Sequence, residues 1–194
     1  MFPAQNCGSA VLPEDYVAVI LDSGVPRVYD EAGKEETVLA YPLGAWFVRD
    51  VLLPARLGTP GWENLLPDFH QRIEMIRDIT PEEIGITTAQ LCELLTAVPA
   101  LTTLTEMEAL ANAAGVGPQY AIMHEREIGN KFSRITADYP VRLRRRFTFG
   151  LAEQDRVAAM LQFLAAGDVK TAFELVRISH AGDYDTEVTE DELT

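Results

Sequence analysis

The chain has 194 residues, of which 47% are hydrophobic and 24% charged, and its formal net charge at pH 7 is −14. A chain of this length can bury a substantial core, and this composition is that of an ordinary globular protein rather than a disordered one. So much negative charge repels polyanions, which argues against an extended nucleic-acid partner.

Several sequence features favour a cytoplasmic protein. Cys7 and Cys92 lie far apart and form no metal-binding or redox spacing, so we expect free thiols in a reducing compartment. No apolar run approaches about 18 residues, which argues against a membrane partner. The opening segment, MFPAQNCGSA, has neither the basic region nor the apolar region of a signal peptide.

The first predicted element is a strand at residues 16–21. Their sequence, YVAVIL, is a continuous apolar run between polar segments, which is typical of a strand buried on both faces. Such a strand needs a partner, supplied either by a local hairpin or by another chain. We therefore expect an α+β fold that is mostly helical, with this strand buried near its centre.

Helical spacing of apolar residues follows in the middle of the chain. It predicts helices over residues 37–53, 68–78, 87–95 and 105–114. Pro42 either kinks the first of these helices or marks its real start. Thr80, followed by Pro81 and Glu83, predicts a further capped helix start.

The strongest helical pattern lies near the end of the chain and predicts a helical hairpin. Gly167 is the expected left-handed stop of its first helix, and Asp168 is a cap for a second helix over residues 169–179. Each helix has an apolar stripe, which we expect to be core. The stripes comprise Val157, Met160, Leu161 and Leu164 in the first helix, and Val169, Ala172, Phe173 and Val176 in the second.

Charged residues are distributed unevenly. Arg142, Arg144, Arg145 and Arg146 form the densest basic cluster, which either contacts a phosphate group or, as we favour, balances the chain's own acidity. Residues 183–194 carry six acidic side chains and no basic one, which indicates a solvated tail. We therefore predict one α+β domain over residues 1–182 and an acidic tail over residues 183–194.

Candidate catalytic and metal-binding patterns are sparse. The run from His124 to Glu127 reads H-E-R-E and lacks the second histidine of a zinc motif, so we predict no metal site. His180 follows Ser179 and precedes Asp183, but groups this close on one helix end favour capping or packing over a catalytic triad. We predict no catalytic residue in this chain.

Two segments resemble the galactokinase and arabinokinase branch of the GHMP sugar kinases. The longer match has an Arg-rich run, a helix with the pattern E-x-x-R-V, an L-x-A-G-D turn, a second helix and a Ser-His segment. These motifs correspond to Arg144–Arg146, Glu153–Val157, Leu164–Asp168, Ser179–Tyr184 and the following Asp185–Val188. The shorter match is Asp22-Ser23-Gly24-Val25, which is similar to a segment that follows a buried strand in these enzymes.

The resemblance implies part of the carboxy-terminal domain of a sugar kinase. A complete enzyme would transfer the γ-phosphoryl group of ATP, with Mg²⁺, to a monosaccharide. The sugar-side loop would place Asp22, Arg27 and Tyr29 as candidate substrate contacts. Where the family has a basic residue followed by histidine, this chain has Pro26 and Arg27. Lys34 falls near the position of the family's sugar-contacting tyrosine.

The family's three catalytic motifs are absent from this sequence. They are a G-L-S-S-S-A phosphate loop, an M-D-Q catalytic segment and a G-G-G-F-G-G closing loop. The chain would then be a truncated or derived portion, inactive alone and completed by another chain, with ATP and Mg²⁺ implied only by the resemblance. The alternative is a non-catalytic helical module for protein interaction or regulation, whose acidic surface could bind a basic protein partner.

Overall fold

The fold is mostly helical in the residues that the structure describes. A computed structural model describes residues 31–129 and 131–184, together with residues 9–11, 13, 14, 16, 17, 19–21 and 24. Its α-helices are α1 (Glu31–Phe47), α2 (Leu53–Arg56), α3 (Phe69–Arg72), α4 (Pro81–Ile84), α5 (Thr88–Ala97), α6 (Leu104–Ala113), α7 (Gly117–Met123), α8 (Leu143–Ala165) and α9 (Val169–Tyr184). Two π-helical segments, Val48–Leu52 and His124–Ile128, and one 3₁₀ turn, Ile76–Asp78, complete the list.

The predicted α+β class is wrong, because the structure has no strand in the described residues. Within residues 16–21, Val17 is 82% exposed and Ile20 is 97% exposed, so the run is not a buried strand. A strand forms only against a partner that accepts and donates its backbone hydrogen bonds. The β-pairing found in the described ranges is a single antiparallel bridge elsewhere, between Thr102 and Val141.

Contacts divide the chain into two compact units. One unit is Val28–Leu151, and the other consists of Met1–Arg27 and Ala152–Thr194. The first unit holds most of the buried apolar side chains. Helix α1 is central to it, since Leu39, Leu43 and Trp46 are at most 2% exposed.

Close packing between α1 and α8 depends on a glycine. A Cβ atom added to Gly44 would overlap the ring of Phe147, which is fully buried. The absence of a side chain at Gly44 therefore lets the two helices approach each other within this unit.

Helix α1 begins a long and apolar helical stretch. The helical stretch Glu31–Arg56 could cross a membrane by length and composition, and it is the one such stretch in the part of the chain described. More than half of its most apolar window is buried inside the structure. Its burial in the core gives these apolar residues a role in packing.

Local capping signals locate several helix starts. The Thr80 hydroxyl accepts a hydrogen bond from the Glu83 amide at 3.3 Å, which confirms the predicted start at Pro81. Thr87 forms a capping box with Gln90 at the start of α5, and Thr103 forms one with Glu106 at the start of α6. Each box satisfies amides that the helix itself leaves unpaired.

The continuous helix predicted over residues 68–78 is wrong. The structure has the short helix α3, an extended segment and then the 3₁₀ turn. The Asp78 carboxylate accepts hydrogen bonds from the amides of Glu74 and Met75, at 2.9 and 2.7 Å. A side-chain acceptor that captures these amides competes with the helical hydrogen-bond pattern.

The predicted helical hairpin is present in the second unit. Helix α8 ends at Ala165, and Gly167 has φ +78°. The Asp168 carboxylate accepts a hydrogen bond from the Thr171 amide at 3.1 Å, which caps α9 as predicted. Helix α9 continues to Tyr184, five residues beyond the predicted end.

Candidate functional site

The arginine cluster is organised around one buried carboxylate. Glu36 on α1 is fully buried, and its Oε1 accepts hydrogen bonds from the backbone amide of Arg142 at 2.7 Å and from its Nε at 3.0 Å. Its Oε2 lies 2.5 Å from Nη2 of Arg142 and 3.6 Å from Nη2 of Arg146. One carboxylate therefore faces two guanidinium groups and also pairs with the amide just before α8.

The electrostatics of this cluster keep Glu36 ionised. Burial alone would raise the pKa of the Glu36 carboxyl, but the hydrogen bonds and charge of Arg142, together with the charge of Arg146, lower that pKa below its ordinary value. Glu36 thus acts as an internal anion at the amino-terminal end of α8, where the helix dipole also favours negative charge.

The other contacts of the cluster are also internal. Arg144 donates from Nε to the Val98 carbonyl at 2.7 Å. Arg146 has a side chain that is 8% exposed, and its buried Nε has no hydrogen-bond partner in the structure. The contacts of Arg142 and Arg146 with Glu36 favour our interpretation that the arginines balance the chain's own acidity.

A second ionic cluster lies on the π-helical segment Val48–Leu52. Arg49 donates from Nε and Nη2 to Oδ2 of Asp50, at 2.8 and 2.6 Å, and from Nη1 to the Ile73 carbonyl at 3.2 Å. Nδ1 of His70 lies 3.7 Å from Oδ1 of Asp50. Local distortions of this kind are frequent at functional sites, although structural roles are also common.

This cluster pairs an imidazole with a carboxylate of different exposure. His70 is 49% exposed, whereas Asp50 is 10% exposed, so the buried carboxylate faces a histidine at the surface. We did not predict a role for Asp50, because its two contacts depend on the π-helical turn and on His70, which lies 20 residues away in the sequence.

Metal binding finds no support in the geometry. Among the residues that the structure describes, no group of three or more histidine, cysteine, aspartate or glutamate side chains could hold a metal ion. His124 lies in the second π-helical segment, with its ring centroid 5.9 Å from that of Tyr120.

The predicted sugar contacts are not placed by the structure. Asp22, Arg27 and Tyr29 all lie outside the described residues, as does the acidic segment 185–194. Lys34, which the resemblance places near a sugar-contacting tyrosine, lies among the described residues. It is exposed on α1 and lines an open groove with Glu31 and Lys131.

The hairpin has an exposed apolar surface, made of residues that we predicted to lie in the core. We call it the hairpin face, and define it by Val157, Leu161 and Leu164 on α8 and by Phe173 and Val176 on α9. Of the two predicted stripes, only Val169 and Ala172 are buried. Val157, Phe173 and Val176 are 44%, 49% and 45% exposed, so the core prediction is wrong for them.

Contacts along the hairpin bring its two stripes side by side. Val157 and Val176 line one small cavity of about 80 Å³ between the helices. The Ser179 hydroxyl donates to Oε2 of Glu153 at 2.6 Å, and Glu153 also pairs with Arg156. These contacts set the register of the two helices and bring Val157 beside Val176.

Tyr16, at the start of the amino-terminal apolar run, contacts the hairpin face. The ring centroid of Tyr16 lies 6.4 Å from that of Phe173, and Tyr16 itself is 45% exposed. Beyond this contact Val17, Val19, Ile20 and Leu21 are at least 70% exposed. Exposed apolar side chains therefore occur both in this run and on the hairpin face, where they are Val157, Phe173 and Val176.

Comparisons with protein-family models, with curated proteins and with solved structures gave no match. The resemblance to sugar kinases therefore depends on the residues quoted for it in the sequence.

Proposed function

We propose that this chain is a helical protein-interaction module whose docking surface is the hairpin face. The observation that carries the proposal is that Val157, Phe173 and Val176, three apolar side chains of the hairpin face, remain 44%, 49% and 45% exposed. Contiguous exposed apolar surface with a polar rim is characteristic of interaction sites in soluble proteins.

The energetics favour covering this surface. Complete burial of a Val, Leu or Phe side chain contributes about 1.5–3 kcal/mol relative to full exposure. In the folded chain, burial of Val157, Phe173 and Val176 contributes only about half of this free energy, because these side chains are 44–49% exposed. A partner that covers the three would therefore gain about 3 kcal/mol from them, before any contribution from the half-buried leucines.

The charged clusters support a scaffold role for the other unit. Glu36 is held by Arg142, and Asp50 is held by Arg49, so both buried carboxylates are committed to internal contacts. Groups bound in this way stabilise the fold and are not available to a substrate. Helices α1 to α7 therefore provide a folded body, and the hairpin face provides the recognition surface.

A sugar-kinase-related role is the second candidate. It is supported by the sequence resemblance, whose helix, Gly-Asp turn and second helix coincide with α8, Gly167, Asp168 and α9. In that role the chain belongs to a cytoplasmic assembly completed by another chain. A thermal-shift titration with galactose, arabinose and Mg-ATP tests it, since a ligand at about 100 times its Kd adds about 2.7 kcal/mol of stability.

Site-specific photo-crosslinking tests the interaction module. A photoreactive amino acid is placed at position 173 in cells that make the protein, with the exposed position 174, which faces another side of the same helix, as the matched control. We expect a covalent protein adduct from position 173, none from position 174, and loss of the adduct in the Val176→Glu background. Equal adducts from the two positions, or none from position 173, would contradict the proposal.

A further inference from the structure

We propose that the amino-terminal apolar run is an intramolecular strap, which occupies the hairpin face and competes with the protein partner for it. The strap consists of the apolar side chains that begin at Tyr16, namely Tyr16, Val17, Val19, Ile20 and Leu21. This inference rests on the proposed function, and it adds the regulation of the same surface.

The strap is attached to the hairpin face at its first residue. The ring centroids of Tyr16 and Phe173 lie 6.4 Å apart with the rings inclined by 34°, which is within the range of attractive aromatic pairs. The Tyr16 amide donates a hydrogen bond to the Pro13 carbonyl at 3.0 Å, so a turn leads the chain into this contact. Tyr16 is therefore the anchor of the strap.

The rest of the strap is apolar and exposed beside that anchor. Val17, Val19, Ile20 and Leu21 are 82%, 70%, 97% and 85% exposed. They belong to the same compact unit as the hairpin face. When two apolar surfaces of one unit meet, both lose their contact with water, so closure of the strap over the face is favourable.

The strap is long enough to cover the exposed valines of the face. Residues 17–21 span up to about 17 Å when the chain is extended. Val176 lies three residues beyond Phe173 on α9, and Val157 lines the same small cavity as Val176. One helical turn rises about 5.4 Å and packed helices lie about 8–10 Å apart, so both valines are within reach of the anchor.

The covalent connection gives the strap an advantage over a separate protein. A segment tethered by a short flexible linker acts at an effective concentration in the millimolar range. A partner at a lower concentration must therefore bind the face more tightly than the strap does in order to displace it. The structure has the anchor in contact and the following side chains exposed, which is the state that a partner can enter.

Photo-crosslinking within the purified full chain tests whether the strap occupies the face. A photoreactive amino acid at position 176 should form internal cross-links to residues 17–21, which mass spectrometry maps. Tyr16→Ser removes the anchor ring and should lower the yield of these cross-links at least about threefold. Val11→Ser is the matched control, because Val11 is 87% exposed and precedes the anchor, and it should leave the yield unchanged.

Two results of this experiment would overturn the inference. The first is a set of internal cross-links that avoids residues 17–21, or a yield that Tyr16→Ser leaves unchanged. The second is a cross-linked dimer in place of the internal product, which would show that a second copy of the chain covers the face.

The partner adduct from position 173 in cells tests the competition. Ile20→Asp places a charge on the strap, which disfavours its burial on an apolar face, and should raise the yield of the adduct at least about threefold. Val11→Asp makes the same change of charge upstream of the anchor and should leave the yield unchanged.

The outcomes in cells separate this inference from the proposed function. An adduct of unchanged yield in Ile20→Asp would refute the competition and leave the docking surface standing. A lower yield would show that the strap itself contacts the partner, which also refutes the competition. Internal cross-links from position 176 without any partner adduct from position 173 would refute the proposed function, and would make the strap a permanent cover of the face.

Discussion

Replacement of Glu36 by glutamine tests the internal anion directly. Glutamine keeps the size of the side chain but removes the charge that faces Arg142 and Arg146. Arg142 has a side chain that is 35% exposed, so it can turn toward water, whereas Arg146 is 8% exposed and cannot. Glu36→Gln therefore leaves one buried positive charge without its counter-ion.

The expected loss follows from that difference. Removal of one partner of a buried ion pair typically costs 3–5 kcal/mol, because the other charge stays buried and unpaired. We expect about 3 kcal/mol, near the lower limit, since Arg142 recovers its hydration. Urea denaturation followed by circular dichroism measures the change in the free energy of unfolding.

Two further variants complete this experiment. Glu31→Gln is the matched control, because Glu31 lies on the same helix and forms an exposed pair with Arg134, of a kind that contributes about 0–1 kcal/mol. Adding Arg146→Met to Glu36→Gln should restore part of the lost stability, since the unpaired charge is gone. A Glu36→Gln variant no less stable than Glu31→Gln would refute the reasoning.

Three other predictions concern acid stability, helix packing and the exposure of the hairpin face. The pKa of the Glu36 carboxyl in the folded protein lies below its ordinary value of 4.5, so its contribution to stability is complete above about pH 4.5 and is lost as the pH falls through the lowered value. In urea denaturation at about pH 3–5, the free energy of unfolding should therefore fall more steeply with falling pH for the wild type than for Glu36→Gln. Gly44→Ala forces a Cβ against the buried Phe147 ring and should cost about 1–3 kcal/mol by the same assay, and a neutral result would contradict the close approach of α1 and α8. In the same assay, Phe147→Ala should lower the free energy of unfolding by about 3–5 kcal/mol, because the Phe147 ring is fully buried. Phe173→Ala should lower it by no more than about half of that, because Phe173 is 49% exposed, and equal losses would show that Phe173 belongs to a core.

Local chemistry made parts of the fold predictable from sequence. The caps at Thr80 and Thr87 and the Gly-Asp turn after α8 depend on side chains within four residues of the amides they satisfy. Such contacts form whenever the segment is helical, so a single sequence is enough to predict them.

Features that depend on distant partners were not predictable. Glu36 and Arg142 are 106 residues apart, and nothing in the sequence links them. The strand at residues 16–21 failed for the same reason, because an apolar run becomes a strand only when another strand lies beside it.

The hairpin face shows a further limit of sequence patterns. Periodicity places Phe173 and Val176 on one side of α9, and that placement is correct. Periodicity does not reveal whether another part of the chain covers that side. The structure leaves it nearly half exposed, and that exposure is the basis of the proposed function.

Photo-crosslinking from position 173 is the most direct test of the central claim that the hairpin face binds another protein. The account predicts a discrete adduct from position 173, mapped by mass spectrometry to one segment of the partner and absent from position 174. Adducts of equal yield from both positions, or a position 173 that reacts only with water, would contradict it.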